Sequence, residues 1–269
     1  MSKPLAIDLF CGLGGWTDGL IAEGYDVIGF DIEQHAYGDH RYPAQLVIQD
    51  VLTLHGSQFK DAALIVASPP CQEYSYMAMP WKLAKAKAAD IKADTTGESL
   101  VKLNRLFNAC FRIQAEASLA AGHHIPMVVE NVRGAIPWVG RSRWNFGSFH
   151  LWGDVPALMP PTFKAVKAPG MNWSDQTKRG QDFTRLAGDH AIKNAGHLNK
   201  HDGHSHTRHL TNPAEHLKNG NDWFGAGEDC SLQRRHGSKS KGRKMASAMI
   251  AKIPLPLSRH IAATYMVPA

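Results

Sequence analysis

The chain has 269 residues, 43% of them hydrophobic and 20% charged, enough to bury one substantial core and leave a smaller lobe. It has no apolar run of about 18 residues, it carries Asp8 where a secretory leader needs an apolar centre, and its four cysteines include no Cys-x-x-Cys pair. A membrane span, a leader, a disulfide framework and a zinc ribbon are therefore not expected, and a cytoplasmic location is. The net charge of +6 is unevenly spread: residues 1–60 hold three Lys/Arg against eight Asp/Glu, and residues 164–244 hold fifteen against eight, which points to a polyanionic partner on the basic side.

Leu5 to Phe10 reads as a buried strand, and Cys11-Gly-Leu-Gly-Gly-Trp-Thr follows it as a glycine loop. Trp16 and Leu20 have helical spacing up to a stop at Gly24, and Tyr25 to Asp31 forms a second strand that ends on an acid. Such a strand, glycine loop, helix, strand and acid unit suits an adenosine-type cofactor, because glycines admit the ligand close to the backbone and the acid accepts from ribose hydroxyls. Thr17 stands where a dinucleotide loop has its third glycine, which disfavours an NAD enzyme. Leu46 to Val51 is a third strand that ends on an acid, Asp50.

The fourth strand is Ala62-Ala-Leu-Ile-Val-Ala67, which stops at Ser68-Pro-Pro and delivers Cys71. Neither proline continues a sheet ladder, so Cys71 belongs on a loop at the carboxyl end of a central strand, where ligands gather in open α/β sheets. An isolated cysteine is more often a small buried hydrophobe. Here the prolyl turn before it, Gln72 and Ser75 after it, and the carboxylate of Glu130 elsewhere favour a reactive thiol.

Residues 74–96 read as a mobile flap with partial helical character. Glu98 to Ala121 is the clearest helix, with Cys110 on its apolar stripe and Gly122 as its stop. Pro126 to Gly134 contains a fifth strand with Glu130 and Asn131 at its carboxyl end, and Phe149 to Trp152 is a sixth. Strands alternating with helices predict a doubly wound, mostly parallel α/β sheet. The expected organisation is a cofactor-binding and catalytic domain over 1–159, a small irregular basic region over 160–240, and a helical segment over 241–269 that returns to the first domain. Seven histidines lie between His190 and His216, but without nearby cysteines they read as a solvated loop and no metal site is expected.

Asp8-Leu-Phe10-Cys-Gly12-Leu-Gly14-Gly15, then Ser68-Pro-Pro-Cys71-Gln72, then Glu130-Asn131-Val132, in that order, resemble the cofactor loop, nucleophile loop and Glu-Asn-Val motif of the DNA (cytosine-5)-methyltransferases. The resemblance covers residues 5–155 and loosely the last 30, and its tail is similar to compact phage and prophage members. It implies a Rossmann-like S-adenosylmethionine-dependent sheet with a small target-recognition lobe, and S-adenosylmethionine lined by Phe10, Gly12, Gly14, Asp31, Asp50, Val51 and Pro70. It further implies catalysis by Cys71 and Glu130, with Arg141 or Arg143 at the base. An aromatic residue after the two prolines would imply amino-group methylation, so Cys71 makes adenine N6 chemistry the runner-up. The arginines lack the family's accompanying glutamine, and the Gly-Asn motif before its last helix is missing.

The implied partner is double-stranded DNA, engaged by a monomer without membrane association. Gln72 and Ser75 are expected to contact the DNA, and Arg234, Arg235, Lys239, Lys241 and Lys244 to lie along the phosphate backbone. A tRNA cytosine-5 methyltransferase and a catalytically idle DNA-binding or masking protein are the alternatives.

Overall fold

The structure is a computed structural model that describes residues 2–74, 81–159, 198–199, 204–205, 244, 248–249 and 251–266. The chain divides into two compact units, Met1–Pro160 with Leu255–Ala269, and Pro161–Pro254.

The first unit is built on a sheet whose strands are β1 (Leu5–Leu9), β2 (Asp26–Asp31), β5 (Gln45–Ile48), β6 (Ala62–Ala67), β7 (Met127–Val132), β8 (Trp144–Phe146) and β9 (Phe149–Gly153). A two-strand hairpin, β3 (Ala36–Tyr37) with β4 (His40–Arg41), stands apart from it. The sheet order is β5-β2-β1-β6-β7-β9-β8. The first five of these strands are parallel, while β9 runs antiparallel to both β7 and β8. Order reverses between β1 and β6, so the loops leaving these two strands diverge and leave a crevice at their carboxyl ends. The central strands are apolar on both faces because helices cover both: Ala6, Leu9, Leu64, Ile65, Val66, Ala67 and Val128 are fully buried.

Helix α1 (Gly15–Ala22) follows β1, and helix α5 (Leu255–Tyr265) packs on it. Their axes come close because position 19 is glycine: a methyl group there would overlap Ser258 and stand 2.5 Å from the backbone nitrogen of Arg259. Tyr25 donates its hydroxyl to Ala262 O (3.1 Å), and Arg259 Nε meets Glu23 Oε1 at 2.6 Å. Helix α3 (Glu98–Ala121) ends on Gly122 at φ 75°, whose N–H returns to Ser118 and Leu119. It buries Phe107, Cys110, Ile113 and Ala117 against the face made by Ile7, Leu9, Ile65, Ala67, Met127 and Val129. Cys110 is thus plain core, as its position on the apolar stripe predicts.

Several boundaries differ from expectation. The third strand stops at Ile48, and the chain turns into a 3₁₀ segment, Val51–Thr53, because Asp50 caps it by accepting from Leu52 N at 2.9 Å. The flap read over 74–96 holds a regular helix, α2 (Trp81–Ala93), and residues 75–80 lie outside the described ones. Helix α4 (Ile136–Val139) is short, and β8 was not anticipated: a hairpin through Gly147, at φ 58°, folds it onto β9. The last helix begins at Leu255, directly after Pro254.

In the second unit, Leu198–Asn199 and His204–Ser205 pair as antiparallel strands, and Lys244 is helical and exposed. No helix among the described residues is long and apolar enough to cross a membrane.

Candidate active site

The carboxyl ends of β1, β6 and β7 lie side by side, each delivering a loop. The β1 loop turns sharply: Phe10 has φ 57°, and Gly12 and Gly14 have φ 51° and 74°. Glycine accepts that conformation freely, whereas at Phe10 it stores strain of about 1 kcal/mol or more, which the surrounding contacts must hold. Cys11 N bonds to Phe30 O (3.2 Å) and Gly14 N to Cys11 O (2.8 Å). A methyl group on Gly12 would meet nothing within 4 Å. The loop therefore presents open backbone to the crevice.

Asp31 closes this corner. Its Oδ2 accepts from Gly12 N at 2.9 Å and its Oδ1 from Glu33 N at 3.3 Å, with His35 Nε2 3.8 Å away. Burial alone would raise its pKa, but the nearby His35 imidazole and the hydrogen bonds from Gly12 and Glu33 outweigh burial and hold the carboxyl below its ordinary value. Each oxygen keeps a lone pair for a further donor such as a ribose hydroxyl. Of the other expected cofactor residues, Phe10 is half-buried, Asp50 uses its Oδ1 as the cap, Val51 is buried in the core and Pro70 is exposed.

The β6 loop is tied on both sides. Ser68 N bonds to Leu9 O (3.1 Å), and Trp16 Nε1 donates to Ser68 Oγ (3.0 Å), which fixes it to the β1 side. On the other side Asn131 Nδ2 donates to Pro69 O (2.9 Å), and Asn131 Oδ1 accepts from Val132 N (2.8 Å). The parallel register Ala67↔Val129 sets Ser68 level with Glu130. Cys71 then opens a turn closed by Tyr74 N to Cys71 O (3.0 Å), and the Tyr74 hydroxyl donates to Asn104 Oδ1 (2.9 Å), anchoring the turn to α3. Glu73 pairs with Lys87 of α2.

Among the described cysteines only Cys71 is partly exposed; Cys11 and Cys110 are buried, and burial raises both of their thiol pKa values. Glu130 is 8% exposed and Gln72 is exposed. Cys71 and Glu130 are thus carried on neighbouring strand ends that Asn131 clamps together. Sequence reading missed the roles of Trp16, Tyr74, Asn104 and Asn131, because each acts through a partner distant along the chain. For Asn131 a signal existed: a second polar residue beside Glu130 in an otherwise apolar strand.

The structure does not bring Arg141 and Arg143 to this edge. Arg143 N bonds to Leu151 O (2.8 Å) just before β8, and Trp144 pairs with Leu151, which pairs with Glu130. β8 runs parallel to β7, so the two arginines fall toward the amino-terminal edge, the edge opposite Cys71. Both line a cavity beside Trp152 and α3. Ser75, Arg234, Arg235, Lys239 and Lys241 lie outside the described residues, as does most of the histidine-rich stretch.

Beneath the glycine loop lies a buried acid. Asp8, 1% exposed, accepts from Thr17 Oγ1 at 2.6 Å, and Tyr42 shares that hydroxyl at 2.7 Å. Its Oδ1 has no hydrogen-bond partner among the described residues. Burial, aided by the charge of Asp31 and opposed by the Thr17 hydrogen bond, raises its pKa from 3.8 to about 7. A raised folded-state value means that the folded protein holds this proton while the unfolded chain has lost it. The stabilisation is complete below about pH 4 and fades as pH rises through 7, by about 4 kcal/mol at most. Asp8→Asn should remove that slope. Thermal unfolding from pH 4 to 8 should show the variant gaining on the wild type as pH rises, and a constant difference would mean that Asp8 is not protonated in the fold.

Residues 5–89 match the family model for C-5 cytosine-specific DNA methylase. No curated protein matches the chain. Among solved structures, similarity is found to a protein described as a DNA modification methyltransferase encoded within an E. coli prophage, with 25% identity and a TM-score of 0.33 over 50% of this chain and 33% of that one. The methyltransferase EhMeth of Entamoeba histolytica is similar with 18% identity and a TM-score of 0.29, over 50% and 39%. The S. pombe Dnmt2 methyltransferase aligns over 97% of this chain and 98% of its own, with 13% identity and a TM-score of 0.42. The chain spans about a third of the first of these proteins and two-fifths of the second.

Proposed function

We propose that this chain, matched over residues 5–89 by the cytosine-5 methylase family, transfers a methyl group from S-adenosylmethionine to carbon 5 of cytosine in a nucleic acid. The observation that carries the reading is one partly exposed thiol, Cys71, on the loop that leaves β6, the strand paired with the one that carries Glu130, with a strained glycine loop and an ionised Asp31 across the crevice. Phe10, Gly12, Gly14 and Asp31 fit an adenosine-bearing cofactor, whose sulfonium supplies an electrophilic methyl group.

Carbon 5 of cytosine is too weak a nucleophile until a group adds to carbon 6. Cys71, as thiolate, forms that carbon–sulfur bond, and Glu130 delivers a proton to N3 as electron density arrives there. The enamine takes the methyl group at carbon 5. The carbon 5 proton then leaves to a base, the electron pair expels Cys71, and N3 returns its proton. The base must be out of its stack to be reached in this way. Gln72 and Ser75 stand next to Cys71 in sequence, and the cations of 234–244 supply contacts along a phosphate backbone.

DNA is the substrate that the family's description names, and tRNA is a second reading, because both expose the same cytosine edge once the base is extruded. Incubation with labelled S-adenosylmethionine and, separately, duplex DNA and tRNA is expected to yield 5-methylcytosine, and the ratio of the two rates assigns the polynucleotide. Label in N6-methyladenine would overturn the carbon 5 reading, and no transfer to either would leave an idle binding protein.

A further inference from the structure

On the α3 face, remote from the Cys71 edge, lies a cavity of about 560 Å³ lined by Arg141, Arg143, Phe111, Trp152, Gln114 and Asp154, among others. That volume is within the range of small-molecule sites. Its wall is aromatic: Phe107 stands edge-on to Trp152 with centroids 5.4 Å apart, and Phe111 lies 5.5 Å from Phe107. Trp152 is fixed by its Nε1 bond to Gly140 O (3.0 Å), so the wall is preformed.

The charge balance of this cavity is unusual. Arg141 and Arg143 are exposed, and neither pairs with a carboxylate among the described residues. The one acid in the lining, Asp154, has its Oδ2 engaged: that oxygen accepts from Gln114 Nε2 (2.6 Å), Met127 N (2.9 Å) and His124 Nε2 (3.0 Å). Two guanidiniums two residues apart therefore line one cavity with no carboxylate partner among the described residues. Forked donors of this kind suit a phosphate, which can take a bidentate bond from each. Phe107 and Trp152 are buried, so a flat ring can lie against Phe111, the half-buried ring of this wall, and the exposed Asn108 amide offers both a donor and an acceptor to a ring edge.

We propose that this cavity binds a nucleoside monophosphate unit, its phosphate between Arg141 and Arg143 and its base against Phe111. The unit is either a free nucleotide or one residue of a bound strand. The site shares no lining residue with Cys71, Glu130 or Asp31, so it stands whether or not the methyl-transfer reading holds.

Calorimetric titration of the full chain with GMP tests it, since guanine is the base of neither the cofactor nor the reacting nucleotide. GMP should bind the wild type, with guanosine and ribose 5-phosphate each at least tenfold weaker, and Arg141→Gln/Arg143→Gln should lose GMP affinity at least tenfold. Both side chains are exposed, so the double variant keeps the fold, and Arg143→Lys, which retains charge without the fork, should fall in between. Equal GMP affinity in the wild type and the double variant, no binding to the wild type, or ribose 5-phosphate binding as tightly as GMP would each overturn the proposal. A 5′-phosphorylated single-stranded oligonucleotide separates the sources. Displacement by GMP that depends on the two arginines assigns the site to a strand, and oligonucleotide binding indifferent to them assigns it to the free nucleotide.

Discussion

Cys71→Ser is expected to lower methyl transfer by about 10³-fold or more, with the cofactor affinity unchanged to within a few-fold. The substitution removes one property, the thiolate. A serine hydroxyl is nearly isosteric, but it is scarcely ionised near neutrality and does not add readily to carbon 6. The surrounding turn survives, since it is held by the Tyr74 N–H to the backbone carbonyl of residue 71 and by the Tyr74 hydroxyl on Asn104, none of which involves the sulfur. Affinity for S-adenosylhomocysteine separates chemistry from cofactor binding. Cys110→Ala serves as the control: it removes a buried thiol whose Sγ reaches Leu106 O, and transfer should persist. Transfer by Cys71→Ser within about tenfold of the wild type would rule out covalent addition by this residue.

Glu130→Gln is expected to slow the reaction by about 10² to 10⁴-fold, the range of a general acid or base contribution. Glutamine keeps the shape and a hydrogen bond to the base edge, but it cannot pass a proton to N3 when carbon 6 is attacked. Because Glu130 sits in the strand ladder opposite Leu151 and beside Asn131, whose amide holds Pro69 O, the backbone should be undisturbed. Nucleic-acid affinity measured separately should change little, so the loss should fall on kcat. A rate within a few-fold of the wild type would make this carboxylate a structural group.

What the sequence determined by itself was local. Apolar runs ended by Gly, Pro or an acid marked β1, β2, β6, β7 and β9. The stripe over Glu98–Ala121 with its Gly122 stop marked α3, because period, punctuation and the cost of exposed backbone act over a few neighbouring residues. The glycine loop, the prolyl cysteine loop and Glu130 were legible for the same reason, and the parallel sheet follows from the alternation of strands and helices.

The tertiary structure decided whatever depends on partners remote in sequence. The raised pKa of Asp8 arises from burial beside Thr17 and Tyr42, and burial is a property of the assembled core. The tie from Asn131 to Pro69 spans 62 residues, and the bond from Tyr25 to Ala262 spans 237. Arg141 and Arg143 illustrate the limit most directly. The family resemblance implied a place beside the base for one of them, but the register of the β8–β9 hairpin turns them toward the α3 face and the opposite edge of the sheet. Register is set by which apolar faces meet across strands, and a shift of one residue sends every side chain to the other face. No short-range pattern in Arg141-Ser-Arg143 carries that information.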